Sequence, residues 1–469
     1  MKKRFISSIL CAVLFFACTS CMMPSGTTST KESTSESTSE STKGSSSDKT
    51  STSEKESEEQ KPKIQIKTEK NEFLFVMDGN QEPAEIKATV TVDGDLVEAP
   101  KLSYTIENPE ICELNDNVIS PKKAGRTDVT VAYGEEETTV AVLVSEPIAK
   151  NLVNTFDERA VNVYGRTYIK DNKLCLDNIG AGLGVAIYGE ELSVTVESIG
   201  SNYLCIFIDG EQEYSSRIGL SSGTKTYKIA QGLEAGFHTV RMVKSNEIDD
   251  GVIKIKDVSS SAFYTAPEKS PLLIEFIGDS ITTGYGVLGN RGAHRTIENS
   301  DGCSAFAYKT ASLLGADYSI IAKQGICVKG YLWRQESMME IYKYLSTYTN
   351  EEYSFERKAD IVVINLGTND SGLTPNFVSE FPNDYYDFLR IIRANYPDAH
   401  IVCLYGFMSL DSKIKDGINT AASKMQDDKV YTRCGSYSPN TGAGGGHPSK
   451  QAQSEWAMTL ADFITSYIL

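Results

Sequence analysis

Positive charge is what this 469-residue chain has too little of: 46 lysines and arginines face 63 aspartates and glutamates, a net charge of -17. Nucleic-acid phosphates need a basic face, so that class of ligand is excluded, and an anionic membrane surface finds no matching charge either. Histidine is scarce, at four residues, and tryptophan scarcer, at two. Cysteine is thinly scattered. Beyond Cys21 the chain holds Cys112, Cys175, Cys205, Cys303, Cys327, Cys403 and Cys434. Their odd number and the absence of a CxxC pair among them speak against a disulfide framework and against zinc. Cys175 and Cys205, both in strand-like runs, are the one pair that invites a bridge; small buried hydrophobes are the simpler reading. No ligand set for a metal is visible, and no cofactor is expected. The longest apolar run near the start, Phe5 to Phe16, is too short to span a bilayer.

Length alone predicts about two to four domains, and composition divides the chain. Residues 1–21, with Lys2, Lys3 and Arg4 ahead of the apolar run, read as an export signal. The run ends at cysteines, as in bacterial lipoprotein signals. Cys21, after Thr19 and Ser20, is taken as the acylated residue, with Cys18 as its rival and an ordinary cleaved signal as the alternative. Residues 22–63 collapse to Ser, Thr, Lys and Glu and read as a disordered tether. Residues 64–146 carry short alternating strands such as Ala88–Val92, ending at Asp93-Gly94, and predict a small β-sandwich. This block resembles the bacterial immunoglobulin-like repeats of surface proteins, and a spacer is its expected role, with ligand binding as the alternative. Residues 147–266 read as a second, jelly-roll-like β-sandwich containing Leu192–Val196 and Tyr203–Ile208. In residues 267–469 apolar strands alternate with helical segments, which predicts an α/β/α domain on a mainly parallel sheet. The fold class expected is therefore multidomain: two β-sandwiches followed by an α/β/α domain.

In parallel sheets, chemistry gathers at the carboxyl ends of strands. The strand Leu272–Ile277 runs into Gly278-Asp279-Ser280, where Ser280 sits at a turn or caps a helix. Tyr318–Ala322 is followed by Lys323-Gln324-Gly325, and Gly325 offers a backbone N–H with no side chain over it. Ile361–Leu366 is followed by Gly367-Thr368-Asn369-Asp370, and the Asn369 amide is a third donor or a turn residue. Three such donors are what a tetrahedral oxyanion requires. His447 follows the run TGAGGG near the C-terminus.

GDSITTG, the glycine after the second strand, GTND and the C-terminal His-Pro resemble the four signature blocks of the SGNH (GDSL) hydrolases. The preceding sandwich makes residues 147–469 similar to carbohydrate esterase family 2. The resemblance implies Ser280 as nucleophile, His447 as general base, and an oxyanion hole of Ser280, Gly325 and Asn369. It implies an acetyl ester on a polysaccharide such as xylan or mannan, with no metal or other cofactor. A cell-surface, lipid-anchored monomer is expected, with the secreted form as alternative. Tyr331 and Trp333 are candidates for a sugar platform; Trp456 falls in the apolar spacing of the last helix.

One departure stands out. Most of these hydrolases carry an Asp three residues before the histidine, and that position here is Gly444. A serine needs a base, and the base works best when a third group fixes its tautomer. A main-chain carbonyl of the glycine loop could take that part, giving a Ser–His dyad, as could a distant carboxylate. The rival readings are a decayed site on a glycan-binding surface protein and an esterase for lipid or thioester substrates. His294 could line a groove; His238 reads as a solvated strand residue, and His400 as a solvated residue just before the strand Ile401–Tyr405.

Overall fold

A computed structural model describes residues 63–469, except 78–81, 149–151, 156, 268, 332–335, 374–375, 409–410 and 436–441. The expected signal, Cys21 and the linker up to residue 62 lie outside the described residues, as does Trp333. Among the described residues, no helix is long and apolar enough to cross a membrane.

Residues 64–145 form three small sheets around a shared core that includes Phe73, Ile86, Ile119, Val131 and Val142. Alternation does the work: in Gly125–Tyr133 the buried residues Val129 and Val131 face inward between half-buried neighbours. Asp93 and Gly94 both take left-handed conformations (φ 54° and 95°), as a tight two-residue hairpin requires, and Val92 pairs with Asp95 across it.

The second β-region is an eleven-stranded sheet organised around one strand, Gly182–Gly200, which pairs with four others. The strand kinks at Gly189 (φ 137°) and its register slips beside it. These breaks let the sheet wrap its own apolar core of Leu183, Val194, Ile206, Val240 and Val258. Cys175 and Cys205 do not pair: both are free, and Cys205 lies 3.6 Å from Asp301 Oδ1.

The last region alternates strand and helix: β1 (Leu273–Gly278), α1 (Phe306–Leu313), β2 (Asp317–Ala322), β3 (Ile361–Asn365), α2 (Thr368–Leu373), α3 (Phe377–Asn395), β4 (His400–Tyr405), α4 (Ser412–Met425), β5 (Val430–Cys434) and α5 (Lys450–Tyr467). All five strands are parallel, in the order β2-β1-β3-β4-β5. Successive side chains alternate between the faces. Phe276, Val363 and Leu404 pack on α1 and α5, whereas Ile277, Ile364 and Cys403 pack on α3 and α4. Helix α3 starts at Phe377 and runs through Pro382. Proline costs a helix interior about 3 kcal/mol; beside it the buried Phe377 and Phe381 stack, ring centroids 4.6 Å apart.

The sandwich and this domain share one core. Ile179, Cys205, Phe207 and Val243 of the sandwich cluster with Phe306, Tyr308 and Ile320. Arg166 crosses the boundary to pair with Glu275 in the middle of β1 (2.9 Å), and both side chains are fully buried.

Candidate active site

Order in the parallel sheet reverses at β1, whose neighbours are β2 on one side and β3 on the other. The loops leaving such a switch point diverge and open a crevice. A cleft of about 440 Å3 lies there, lined by Ser280, Gly325, Asn369 and His447 together with Tyr285, Asp249, Lys323 and Glu336.

Ser280 follows β1 but does not begin a helix. Residues 280–288 form consecutive turns instead. The chain doubles back over Gly278 so closely that a Cβ there would lie 1.9 Å from Thr282 Oγ1. Asp279, fully buried, braces this turn: its Oδ1 accepts from the Ile281 N–H (2.9 Å) and its Oδ2 from the Asn369 amide (3.3 Å). Burial pushes the Asp279 carboxyl up to about 7. Asn369 stands in the first turn of α2, not in an isolated turn, and its amide also donates to the Ile326 carbonyl (3.0 Å). Gly325 takes a left-handed conformation (φ 67°), which a side chain would disfavour.

His447 Nε2 lies 2.8 Å from Ser280 Oγ, and Nδ1 lies 3.1 Å from the Gly445 carbonyl. A carbonyl only accepts, so Nδ1 carries the proton and Nε2 presents its lone pair to the serine. Among the described residues, no carboxylate hydrogen-bonds this ring. Burial lowers the His447 pKa below the ordinary imidazole value, with the Gly445 carbonyl pulling weakly the other way. The Tyr285 ring lies against the imidazole, centroids 4.3 Å apart.

The glycines have a steric reason. Gly444 N donates to the Gly286 carbonyl (3.0 Å) and Gly445 N to the Ala293 carbonyl (2.7 Å), so the loop is laced main chain to main chain onto the segment after Ser280. A Cβ at Gly444 would stand 3.1 Å from the Gly286 carbonyl oxygen, leaving little room for the aspartate otherwise common at this position. At Gly445 the backbone is left-handed (φ 64°), and a Cβ would lie 2.7 Å from the Tyr285 ring. Gly445→Ala should therefore displace the carbonyl that holds His447 and lower kcat on 4-nitrophenyl acetate by about tenfold or more; an unchanged kcat would show that the carbonyl is dispensable.

The remaining candidates lie elsewhere. Tyr331 is not among the described residues lining the cleft, and its hydroxyl donates to Asp384 on α3. His294 accepts at its main-chain carbonyl from Asn299 (2.9 Å) and is not part of the cleft lining. His238 bridges Asp209 and the Glu234 carbonyl, both at 2.8 Å, so it is braced and not simply solvated. His400 contacts the Tyr431 hydroxyl (3.0 Å), and Trp456 is buried against Phe407. Sequence reading passed over Asp279, Tyr285 and the rim residues. Asp279 and Tyr285 flank Ser280 in GDSITTGYG and were within reach; Asp249, Lys323 and Glu336 converge only through tertiary contacts.

Residues 276–451 match the GDSL-like lipase/acylhydrolase family, the class that this sheet order and cleft define. Residues 163–267 match the carbohydrate esterase 2 N-terminal domain, and residues 96–143 the hyaluronate lyase N-terminal β-sheet domain. The cellulase/esterase CelE of Acetivibrio thermocellus is 32% identical over 268 residues, covering 54% of this chain and 32% of that protein. The chain thus spans about a third of the length of CelE. An acetylxylan esterase/glucomannan deacetylase of Cellvibrio japonicus is 22% identical over 316 residues, 64% of this chain and 87% of that one. A family two carbohydrate esterase from Clostridium thermocellum, solved in complex with cellohexaose, superposes with a TM-score of 0.61 at 28% identity, over 65% of this chain and 98% of that one. Over residues 163–451 the chain is thus similar to the family 2 carbohydrate esterases.

Proposed function

We propose that this protein removes O-acetyl groups from a neutral polysaccharide of the xylan or mannan type, through an acyl-enzyme on Ser280. The observation that carries this reading is the 2.8 Å contact between Ser280 Oγ and His447 Nε2, with Nδ1 held by a main-chain carbonyl. His447 takes the serine proton as Oγ attacks the acetyl carbonyl, then hands it to the departing sugar oxygen. The same imidazole activates the water that releases acetate. The Ser280 and Gly325 N–H groups and the Asn369 amide stabilise the oxyanion. Of the two Asn369 contacts, the longer one, to Asp279, is the one to yield as charge develops.

The cleft rim favours a sugar. Lys323 Nζ sits between Asp249 Oδ1 (3.1 Å) and Glu336 Oε2 (2.7 Å), so the mouth carries charged groups able to bond hydroxyls, with little apolar surface for a lipid chain. We extend the reading to a lipid anchor at Cys21, a Ser/Thr-rich tether and a spacer of immunoglobulin-like type, which together would hold the esterase at the outer cell surface; the support is the compositional pattern of residues 1–63 and the short alternating strands of residues 64–146. The test is acetate release from acetylated xylan and acetylated glucomannan by the full chain; no release from either glycan or from a small acetyl ester would end this reading.

The pH profile is a sharper check. The base acts when neutral, and burial depresses the His447 pKa, so the acid limb of kcat/KM should fall below the ordinary imidazole value of about 6.5. A limb centred above pH 7 would assign the titration to another group.

A further inference from the structure

The sandwich reaches into the active-site end of the hydrolase domain through one turn, residues 245–250, which leaves the strand Phe237–Lys244. Lys244, fully buried, fastens this turn: its Nζ donates to the Asn246 carbonyl (2.6 Å) and the Glu247 carbonyl (3.0 Å). The Ser245 carbonyl accepts from Gly302 N (2.7 Å) across the domain boundary. The turn thus presents Glu247 rigidly, and only 1% of that residue is exposed. Its two carboxylate oxygens go to two different loops. Oε1 accepts from Thr283 Oγ1 (2.7 Å), in the turn carrying Ser280, and Oε2 accepts from the Gln324 N–H (3.0 Å), in the residue before Gly325. Thr283 Oγ1 also lies 3.0 Å from the Ser280 carbonyl.

We infer that Glu247 is a positioning residue for the oxyanion hole: a carboxylate supplied by the sandwich sets the spacing between the Ser280 turn and the Gly325 loop. The inference rests on the esterase reading and adds to it a reason for the sandwich to be there. Within the hydrolase domain Asn369 links the same two loops, through Asp279 Oδ2 (3.3 Å) and the Ile326 carbonyl (3.0 Å); Glu247 ties them a second time, at Thr283 and Gln324, from outside that domain. Burying a carboxyl here is costly, and it pushes the Glu247 pKa up to about 7. A group kept only for packing would not need two oxygens aimed at two loops.

Replacing Glu247 with leucine keeps the volume but leaves the Gln324 N–H and the Thr283 hydroxyl without their acceptor. The loops can then drift by a fraction of an ångström, which lowers transition-state stabilisation more than ground-state binding. On 4-nitrophenyl acetate, with the full chain, Glu247→Leu should lose about tenfold to a hundredfold in kcat with KM within about twofold. Glu247→Gln should recover most of that loss, because its amide oxygen can accept from Gln324 and its NH2 can donate to Thr283 Oγ1. A purely structural role predicts instead a lower melting temperature with unchanged kcat per folded molecule, and no preference for glutamine. Should the leucine variant fail to fold, Thr283→Val decides: a kcat loss of about threefold or more supports the inference, and an unchanged kcat overturns it. A folded Glu247→Leu with kcat within twofold of the parent overturns it as well. A parent inactive on every acetyl ester would sink the esterase reading and this inference together, whereas an active parent with an indifferent Glu247 sinks the inference alone.

Discussion

Ser280→Ala is expected to abolish acetate release, with kcat down by about 10⁴-fold or more while the chain stays folded. The loss is large because the change removes the attacking atom itself; what remains is the background from oxyanion stabilisation and binding. His447→Ala should fall nearly as far, and the double variant hardly further, because nucleophile and base act as one unit. Neither change should disturb the fold: Ser280→Ala removes one oxygen from a residue 8% exposed, and the imidazole packs at the surface of the cleft against Tyr285. Acetate release and circular dichroism on the same preparations check both statements. A Ser280→Ala variant retaining a tenth of the parent rate would rule out acyl transfer to this serine. Failure of His447→Ala to follow it would mean that another base serves Ser280.

Arg166→Ala is the second large effect, and it falls on stability. The guanidinium donates to Glu275 Oε1 (2.9 Å) and to the carbonyls of Tyr342 (2.5 Å) and Tyr344 (2.9 Å), and it stacks over the Tyr353 ring at 4.2 Å. Glu275 in turn accepts from the Tyr342 hydroxyl (2.8 Å) and Ser319 Oγ (3.1 Å). Removing the arginine leaves a carboxylate in the centre of β1 with no counter-charge, a change that typically costs about 3–5 kcal/mol. Because Arg166 belongs to the sandwich and Glu275 to the hydrolase sheet, the midpoint of chemical unfolding should drop for both domains together. Replacing both partners by apolar residues, Arg166→Met with Glu275→Leu, should regain much of the loss, since the penalty comes from the stranded charge more than from the absent pair. A single-variant loss below about 1 kcal/mol would mean that water reaches Glu275.

The parallel sheet was legible because a strand buried on both faces must be apolar at nearly every position, and LLIEFI, YSIIA, IVVINL and IVCLY are. The fifth strand, Val430–Cys434, was not, because at the sheet edge Tyr431 and Thr432 are only half-buried and Arg433 is exposed. Of the two readings of Ser280, a turn and a helix cap, the structure takes the turn, because Gly278, Gly284 and Gly286 permit a tight course that the loop carrying His447 then stabilises. Ser280, Gly325, Asn369 and His447 could be singled out because each follows a strand end or a glycine run, and the four do line one cleft.

The chain on its own pointed to β-rich regions ahead of a parallel sheet, to four of that sheet's five strands and to the candidate residues at their ends, because these depend on local periodicity and on residue types that little else explains. Only the tertiary structure decided what orients His447. A carbonyl's role depends on where its backbone is carried, and every residue has one, so Gly445 bears no mark in the sequence of facing Nδ1. It likewise decided that the sandwich touches the site, because Glu247 and Thr283 are 36 positions apart and nothing in either local pattern announces the other. Hydrogen bonds across a domain boundary are set by the packing of whole faces, and that information is spread over the entire core that the two domains share.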